Sequence, residues 1–163
     1  MSSSDQQTAT ANVTKKGDRE ITTERHLAAP PERVYAAFTD PELVPRWWGL
    51  ESSETVIDEM DVRVGGTWRF VEKTEDGEGT AFRGVYRELD PGKRVAQTFE
   101  WEGMPGHVSV DTITFEADGD GTRAIGHTIF HYAEERDGMI DAGMEKGLNQ
   151  SYDQLDRLLA EGA

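Results

Sequence analysis

Four histidines, His26, His107, His127 and His131, are the side chains whose ordinary titration lies near neutral pH. His127 and His131 stand four apart, but the residues around them alternate as a strand, on which four residues span roughly 13 Å. Alone they cannot chelate one metal ion, and no His-Glu-x-x-His helix occurs. The chain has no Cys, so thiol catalysis, disulfides and Cys-ligated metals are excluded. One acid–base arrangement remains: His127 with Asp111 or Glu100 from neighbouring strands, if the register brings them together. His107 is the fourth ionisable candidate, and a solvent-facing His127 is the simpler alternative. A Gly-x-Ser-x-Gly elbow and a phosphate-cradling loop are both absent. No catalytic residue, metal or cofactor is assigned.

A second set of side chains suits binding better than reaction. Trp48, Phe70, Phe82, Tyr86, Phe99, Trp101, Met104, Val108 and Val110 fall on or beside mid-chain strands. Met139, Met144, Leu148 and Tyr152 come from the C-terminal segment. An aromatic and Met-rich lining suits an adaptable apolar ligand, and a filled core is the competing interpretation. Tyr86 and Trp101 carry polar tips that need partners if buried. The loop Met104-Pro105-Gly106-His107 has the composition of a pocket mouth or lid, or of a plain connection.

The elements that must position these residues follow from turn chemistry. Ile21, Thr22 and Thr23 favour a strand within 20–27. Pro30-Pro31 ends it and opens a helix, with Glu32 at its positive end and Val34, Phe38, Tyr35 and Ala37 on its inner face. Asp40 and Pro41 start a second short helix that runs to Trp47-Trp48-Gly49. That Trp pair reads as an anchor to the sheet, with a pocket gate as the alternative. Strands are expected near 53–60, 66–73, 80–89, 93–101, 108–116 and 122–131, broken by Gly- and Asp-rich turns such as Gly65-Gly66. Asp61 and Arg63 are expected to pair beside that turn. Connections this short leave no room for crossover helices, so the pairing is antiparallel. From Glu134 the helical spacing returns through Ile140, Met144, Leu148 (or Gly147), Ser151, Leu155, Leu158 and Leu159, predicting one long helix to about residue 160, with a start after Gly138 as the alternative. Residues 1–18 lack apolar periodicity and read as a disordered tail before a single domain, 19–163. The expectation is an α+β fold, a seven-stranded curved sheet whose one face the long helix covers, with a cavity between them.

Charge narrows the partners. Lys and Arg number 17 against 32 Asp and Glu, a net charge of −15. Such a surface repels phosphate backbones and anionic membranes, so nucleic acid is excluded as a partner. The acid excess, with only five Lys beside twelve Arg, fits a protein working in high salt, where self-repulsion is screened. An ordinary acidic protein is the alternative. Neither a signal-peptide pattern nor an apolar run of ~18 residues is found, so a cytoplasmic protein without membrane insertion is expected. An exposed strand edge allows a monomer or a homodimer.

Several motifs agree in order and spacing with one known group. They are Ala29-Pro30-Pro31-Glu32-Arg33-Val34-Tyr35, Thr39-Asp40-Pro41-Glu42-Leu43, Trp47-Trp48-Gly49 and Asp61-Val62-Arg63-Val64-Gly65-Gly66-Thr67-Trp68. Gly84-Val85-Tyr86-Arg87-Glu88-Leu89-Asp90-Pro91, Gly121-Thr122-Arg123 and 147–155 complete the set. Over 19–160 the chain resembles the activator of Hsp90 ATPase homologue 1-like family of the Bet v 1/START-like superfamily. That resemblance implies the helix-grip fold. It leaves function open, because the family holds small-molecule binders and chaperone regulators. The co-chaperone's own partner-binding N-terminal domain has no counterpart in the 18 residues before the fold, which argues against chaperone contact. The family often has Trp where this chain has Leu148, a change that enlarges the cavity or is repacked. The expected function is non-enzymatic binding of a small hydrophobic ligand, such as a lipid or polyketide. A cyclase- or hydrolase-like enzyme and a stress or chaperone accessory protein are the alternatives.

Overall fold

Successive β-branched and aromatic runs, cut by glycine turns, pair with their sequence neighbours because the turns are too short for anything else. The computed structural model describes residues 11–162. Its strands are β1 (Asn12–Lys16), β2 (Glu20–Leu27), β3 (Glu54–Met60), β4 (Thr67–Lys73), β5 (Gly79–Asp90), β6 (Arg94–Trp101), β7 (Val108–Asp118) and β8 (Gly121–Ile129). They form one antiparallel sheet in the order β1-β2-β8-β7-β6-β5-β4-β3. Helix α1 (Pro31–Thr39) and a 3₁₀ turn (Val44–Arg46) connect β2 to β3, and α2 (Ala133–Asp141) and α3 (Met144–Ala160) follow β8. The arrangement is the helix-grip fold.

Three expectations are corrected. The sheet has eight strands, because residues 12–16 pair with β2 from Asn12 opposite Glu24 to Lys16 opposite Glu20. This edge strand carries four exposed side chains out of five, so no apolar alternation announces it. The rest of the expected tail, residues 1–10, lies outside the described residues. The second short helix contracts to one 3₁₀ turn, since Pro45 lacks the N–H that an α-helix needs. Asp40 does not cap it; its side chain accepts the Glu42 N–H at 2.9 Å in the turn that precedes it. Finally, the long helix is two. The chain breaks at Gly143, whose φ of +95° is a left-handed value that glycine adopts without a Cβ clash.

The core lies between α3 and the concave face of the sheet. Tyr152, Leu155, Leu158 and Leu159 of α3 pack on Leu27, Val95, Phe115 and Ala124 of the strands and on Val34, Ala37 and Trp47. Each fully buried Leu contributes about 1.5–3 kcal/mol. The Trp47-Trp48-Gly49 segment is fixed from both sides. Trp47 Nε1 donates to the Ala37 carbonyl at 2.9 Å, and Ser151 and Gln154 of α3 each donate to the Gly49 carbonyl at 2.9 Å. Trp47 is thus buried and bonded to α1, while its neighbour Trp48 is not part of that bond. Trp68 lies flat over Gly84, where any Cβ would stand 2.0 Å from the Thr98 carbonyl oxygen and 2.6 Å from the indole nitrogen.

Helix α2 has no apolar stripe of its own and is held by polar contacts. The buried Arg136 guanidinium donates to the carbonyls of Gly17 and Glu20, at 3.2 and 2.9 Å, in the hairpin between β1 and β2. Lys15 reaches Asp137 at 3.7 Å. On the opposite side His107, in the loop from β6 to β7, pairs with Glu135.

Candidate functional site

A strand's alternation sends every second side chain to the concave face. On β7 these are Ser109, Asp111, Ile113 and Phe115, and on β6 they are Val95, Gln97, Phe99 and Trp101. Cross-strand register then sets a polar row across the sheet. Tyr86 stands opposite Gln97, Gln97 opposite Asp111, and Asp111 opposite Thr128.

Above this row the sheet and α3 do not close. A cavity of about 180 Å³ remains, walled by Phe38, Val44, Trp47, Trp48, Phe70 and Phe99, with Leu148, Ser151 and Tyr152 as its roof. Asp111, Gln97 and Tyr86 form its floor. Trp48, Phe99, Asp111, Leu148 and Ser151 also line a larger outer chamber of about 470 Å³, bounded by Phe82, Phe130, Met139, Met144 and Gly147. That chamber shares Phe99, Ser109, Phe130, Met139 and Ala142 with a rim hollow under α2, which reaches Trp101, Met104 and His107. With walls in common, the three hollows adjoin one another from Asp111 to the edge of the sheet.

The walls are aromatic. Trp48 meets Phe70 and Phe82 edge-on, at centroid distances of 5.2 and 5.5 Å, and Phe82 stacks on Phe99 at 5.3 Å. The Asp111 carboxyl is deep within the protein, and what accessible surface it has faces the cavity. Burial pushes its pKa up from 3.8 to about 6, opposed by a hydrogen bond from Thr128. Burial also pushes the Tyr152 hydroxyl up to about 12, with Arg25 opposing and the Asp111 charge adding to it. Tyr86 rises well above the ordinary tyrosine range, again through burial first. The Gln97 side chain makes no hydrogen bond with any described residue. A low-dielectric chamber with one uncompensated carboxyl and a few hydrogen-bonding tips can enclose an apolar molecule and orient a polar end.

The sequence model of the activator of Hsp90 ATPase homologue 1-like proteins matches residues 28–160. The chain belongs to this family. A protein from Chromobacterium violaceum is 32% identical to this family member, covers 86% of it and 96% of itself, and superposes with a TM-score of 0.76. A protein from Rhodobacter sphaeroides, 22% identical, has a TM-score of 0.86 over 93% of this chain and 99% of its own. The AHSA1 protein of Silicibacter pomeroyi, 23% identical, has a TM-score of 0.71 over 88% of this chain and 99% of its own. No curated protein matches the chain by sequence.

In this family member the residues singled out for a cavity separate into layers. Trp48, Phe70, Tyr86, Phe99, Leu148 and Tyr152 line the inner chamber. Phe82, Met139 and Met144 line the outer one, and Trp101 and Met104 stand at the rim. Val108 and Val110 do not belong with them. They share the convex face of β7, where Val108 is 38% exposed, because the concave positions of that strand are Ser109 and Asp111. Tyr86 and Trp101 differ as well, for Tyr86 is buried and Trp101 is 43% exposed.

Among the ionisable candidates only Asp111 faces the inner cavity. His127 stands opposite Thr112 and points to the convex side, where it meets Glu20 at 2.6 Å; its hydrogen bond holds the Glu20 carboxyl below its usual range. Glu100 is taken by Arg83 at 3.2 Å and by the Gly106 N–H at 2.7 Å, which lower its pKa. The proposed pairing of His127 with Asp111 or Glu100 is therefore not made. His26 meets Asp118 at 3.1 Å at an exposed sheet end, and His131 packs edge-on against Tyr132. Asp61 pairs with Arg63 at 2.8 Å in the exposed turn. Gln97 went unnoticed in the sequence. Its signal was parity with Val95 and Phe99 on one strand. Among the described residues no helix is long and apolar enough to cross a membrane.

Proposed function

We propose that this family member binds a small, largely apolar molecule in the chamber between the sheet and its two C-terminal helices. The observation that carries the proposal is the row of adjoining, aromatic-walled hollows from Asp111 to the rim. Burying an apolar ligand there releases water from both surfaces, at about 25 cal/mol per Å². Leu148, in the roof of both chambers, is the position to test. Leu148→Trp fills the inner cavity with an indole. An uncharged apolar fluorophore such as N-phenyl-1-naphthylamine should bind the native chain saturably and the variant at least tenfold more weakly. Equal binding by the two, or none by the native chain, refutes the proposal.

A second reading has one observation in its favour. A buried carboxyl pushed up to about 6 in the floor of a ligand-sized cavity is suited to acid–base work on whatever is bound. It predicts conversion of the bound molecule by the native chain, with Asp111→Asn retaining binding but losing turnover. A bound molecule recovered unchanged refutes it.

A further inference from the structure

The chamber holds a carboxyl with no cation to meet it. Of the two buried arginines among the described residues, Arg136 is held by the hairpin carbonyls and Arg25 is engaged beside Tyr152. Its guanidinium pairs with Asp156 at 2.7 Å and Asp153 at 3.1 Å and lies 5.8 Å from the Tyr152 ring centroid. The other titratable groups facing Asp111 are Tyr86 from β5 and Tyr152 from α3, both neutral, and Glu72 stands at the outer mouth. Asp111 receives one hydrogen bond from Thr128. It shares the lining of the inner cavity with the rings of Trp48, Phe99 and Tyr152.

We propose that the ligand is an apolar amine, whose ammonium group sits between the Asp111 carboxylate and the aromatic walls while its chain runs outward beneath α2. This deepens the reading of the cavity as an apolar binding site and rests on it. Three physical arguments support the amine. An ammonium brings the charge and the hydrogen-bond donors that Asp111 lacks, and the carboxylate has already been desolvated by folding, so binding need only desolvate the ligand. Ring faces attract a cation within about 6 Å, and Trp48, Phe70, Phe82 and Phe99 surround the approach. Gln97 and Tyr86 offer a carbonyl and a hydroxyl oxygen as further acceptors. A carboxylate ligand would meet repulsion from Asp111, and a plain hydrocarbon would leave the carboxyl unmatched.

The test uses the full chain and three probes of equal length, hexylamine, 1-hexanol and hexanoate, titrated by calorimetry at pH 7 and pH 5. Hexylamine stays protonated at both values. At pH 7 it should bind at least tenfold more tightly than hexanol. Protonation of Asp111, which titrates near 6, should weaken the amine about tenfold between pH 7 and pH 5, while hexanol stays unchanged. Asp111→Asn should remove both the preference and the pH dependence. If the variant fails to fold, the pH profile of the native chain decides. Hexanol binding as tightly as hexylamine overturns the amine and leaves the apolar site standing. Tighter binding of hexanoate at pH 5 than of hexylamine at pH 7 also overturns it, with protonated Asp111 acting as a donor instead. If no probe binds, the cavity reading and the amine fall together.

Discussion

Asp111→Asn should make the protein more stable at neutral pH. In the folded chain the carboxyl titrates near 6, against 3.8 for an ordinary Asp. A raised carboxyl pKa means that folding disfavours the charged form. The cost is absent below 3.8, grows as pH rises to about 6, and is fully present above it. At ~1.36 kcal/mol per pH unit the interval is worth about 3 kcal/mol, and water entering the cavity lowers that to about 2–3 kcal/mol. Asparagine keeps an acceptor for Thr128 and removes the charge. Urea denaturation of both proteins at pH 7 and pH 4 measures the effect. Taking the difference between native and variant cancels the other carboxylates on this very acidic chain. The variant should lead by about 2–3 kcal/mol at pH 7 and by under about 1 kcal/mol at pH 4. An equal difference at both pH values, or a variant less stable at pH 7, would refute the claim that burial raises this carboxyl.

Other outcomes are expected. Gly143→Ala forces a Cβ into a left-handed backbone and should cost about 1 kcal/mol in urea denaturation. Arg25→Met removes a buried guanidinium whose Nε and Nη1 have no hydrogen-bond partner, so stability should change by no more than about 1 kcal/mol despite the loss of two ion pairs. Arg25→Ala, which also opens a cavity, should lose roughly 2–4 kcal/mol in the same assay. Raising KCl from 0.1 to 2 M should raise the urea midpoint, because screening relieves a net charge of −15 more than it weakens surface ion pairs; an unchanged midpoint argues against the high-salt reading.

The turns made the sheet legible. Gly65-Gly66 precedes β4, and Asp90-Pro91-Gly92 and Asp118-Gly119-Asp120-Gly121 end β5 and β7, each boundary within a residue or two of the expected one. What the sequence hid has three physical causes. Strand β1 is held by backbone pairing and by a bond from the Ala11 N–H to Asn149 at 2.7 Å, so its side chains carry no pattern. The break at Gly143 sits inside apolar spacing that runs on from Ile140 to Leu148, and spacing alone does not register a change of axis. On β7 the rule that apolar means inward failed because a cavity, unlike a filled core, has room for polar groups. Val108 and Val110 drew attention while Ser109 and Asp111 occupied the inner face. Aromatic positions were easier to place, since Phe70, Phe82 and Phe99 are too large for the exposed face of so charged a sheet.

The Arg136 contacts join parts of the chain more than a hundred residues apart. Strand β1 has a neighbour on one side only, and its hairpin supplies the carbonyls that hold α2. Detaching that edge strand frees the Gly17 carbonyl from Arg136 and removes the Lys15 contact to Asp137 at once, while the Glu20 carbonyl stays with β2. The hairpin and the helix that borders the outer chamber are therefore one unit that loosens together. Amide exchange in β1 should rise and fall with exchange in α2, and a molecule sealed beneath the helix should slow both. A contact at the β1 edge of the sheet is thus also a contact on the helix that borders the outer chamber.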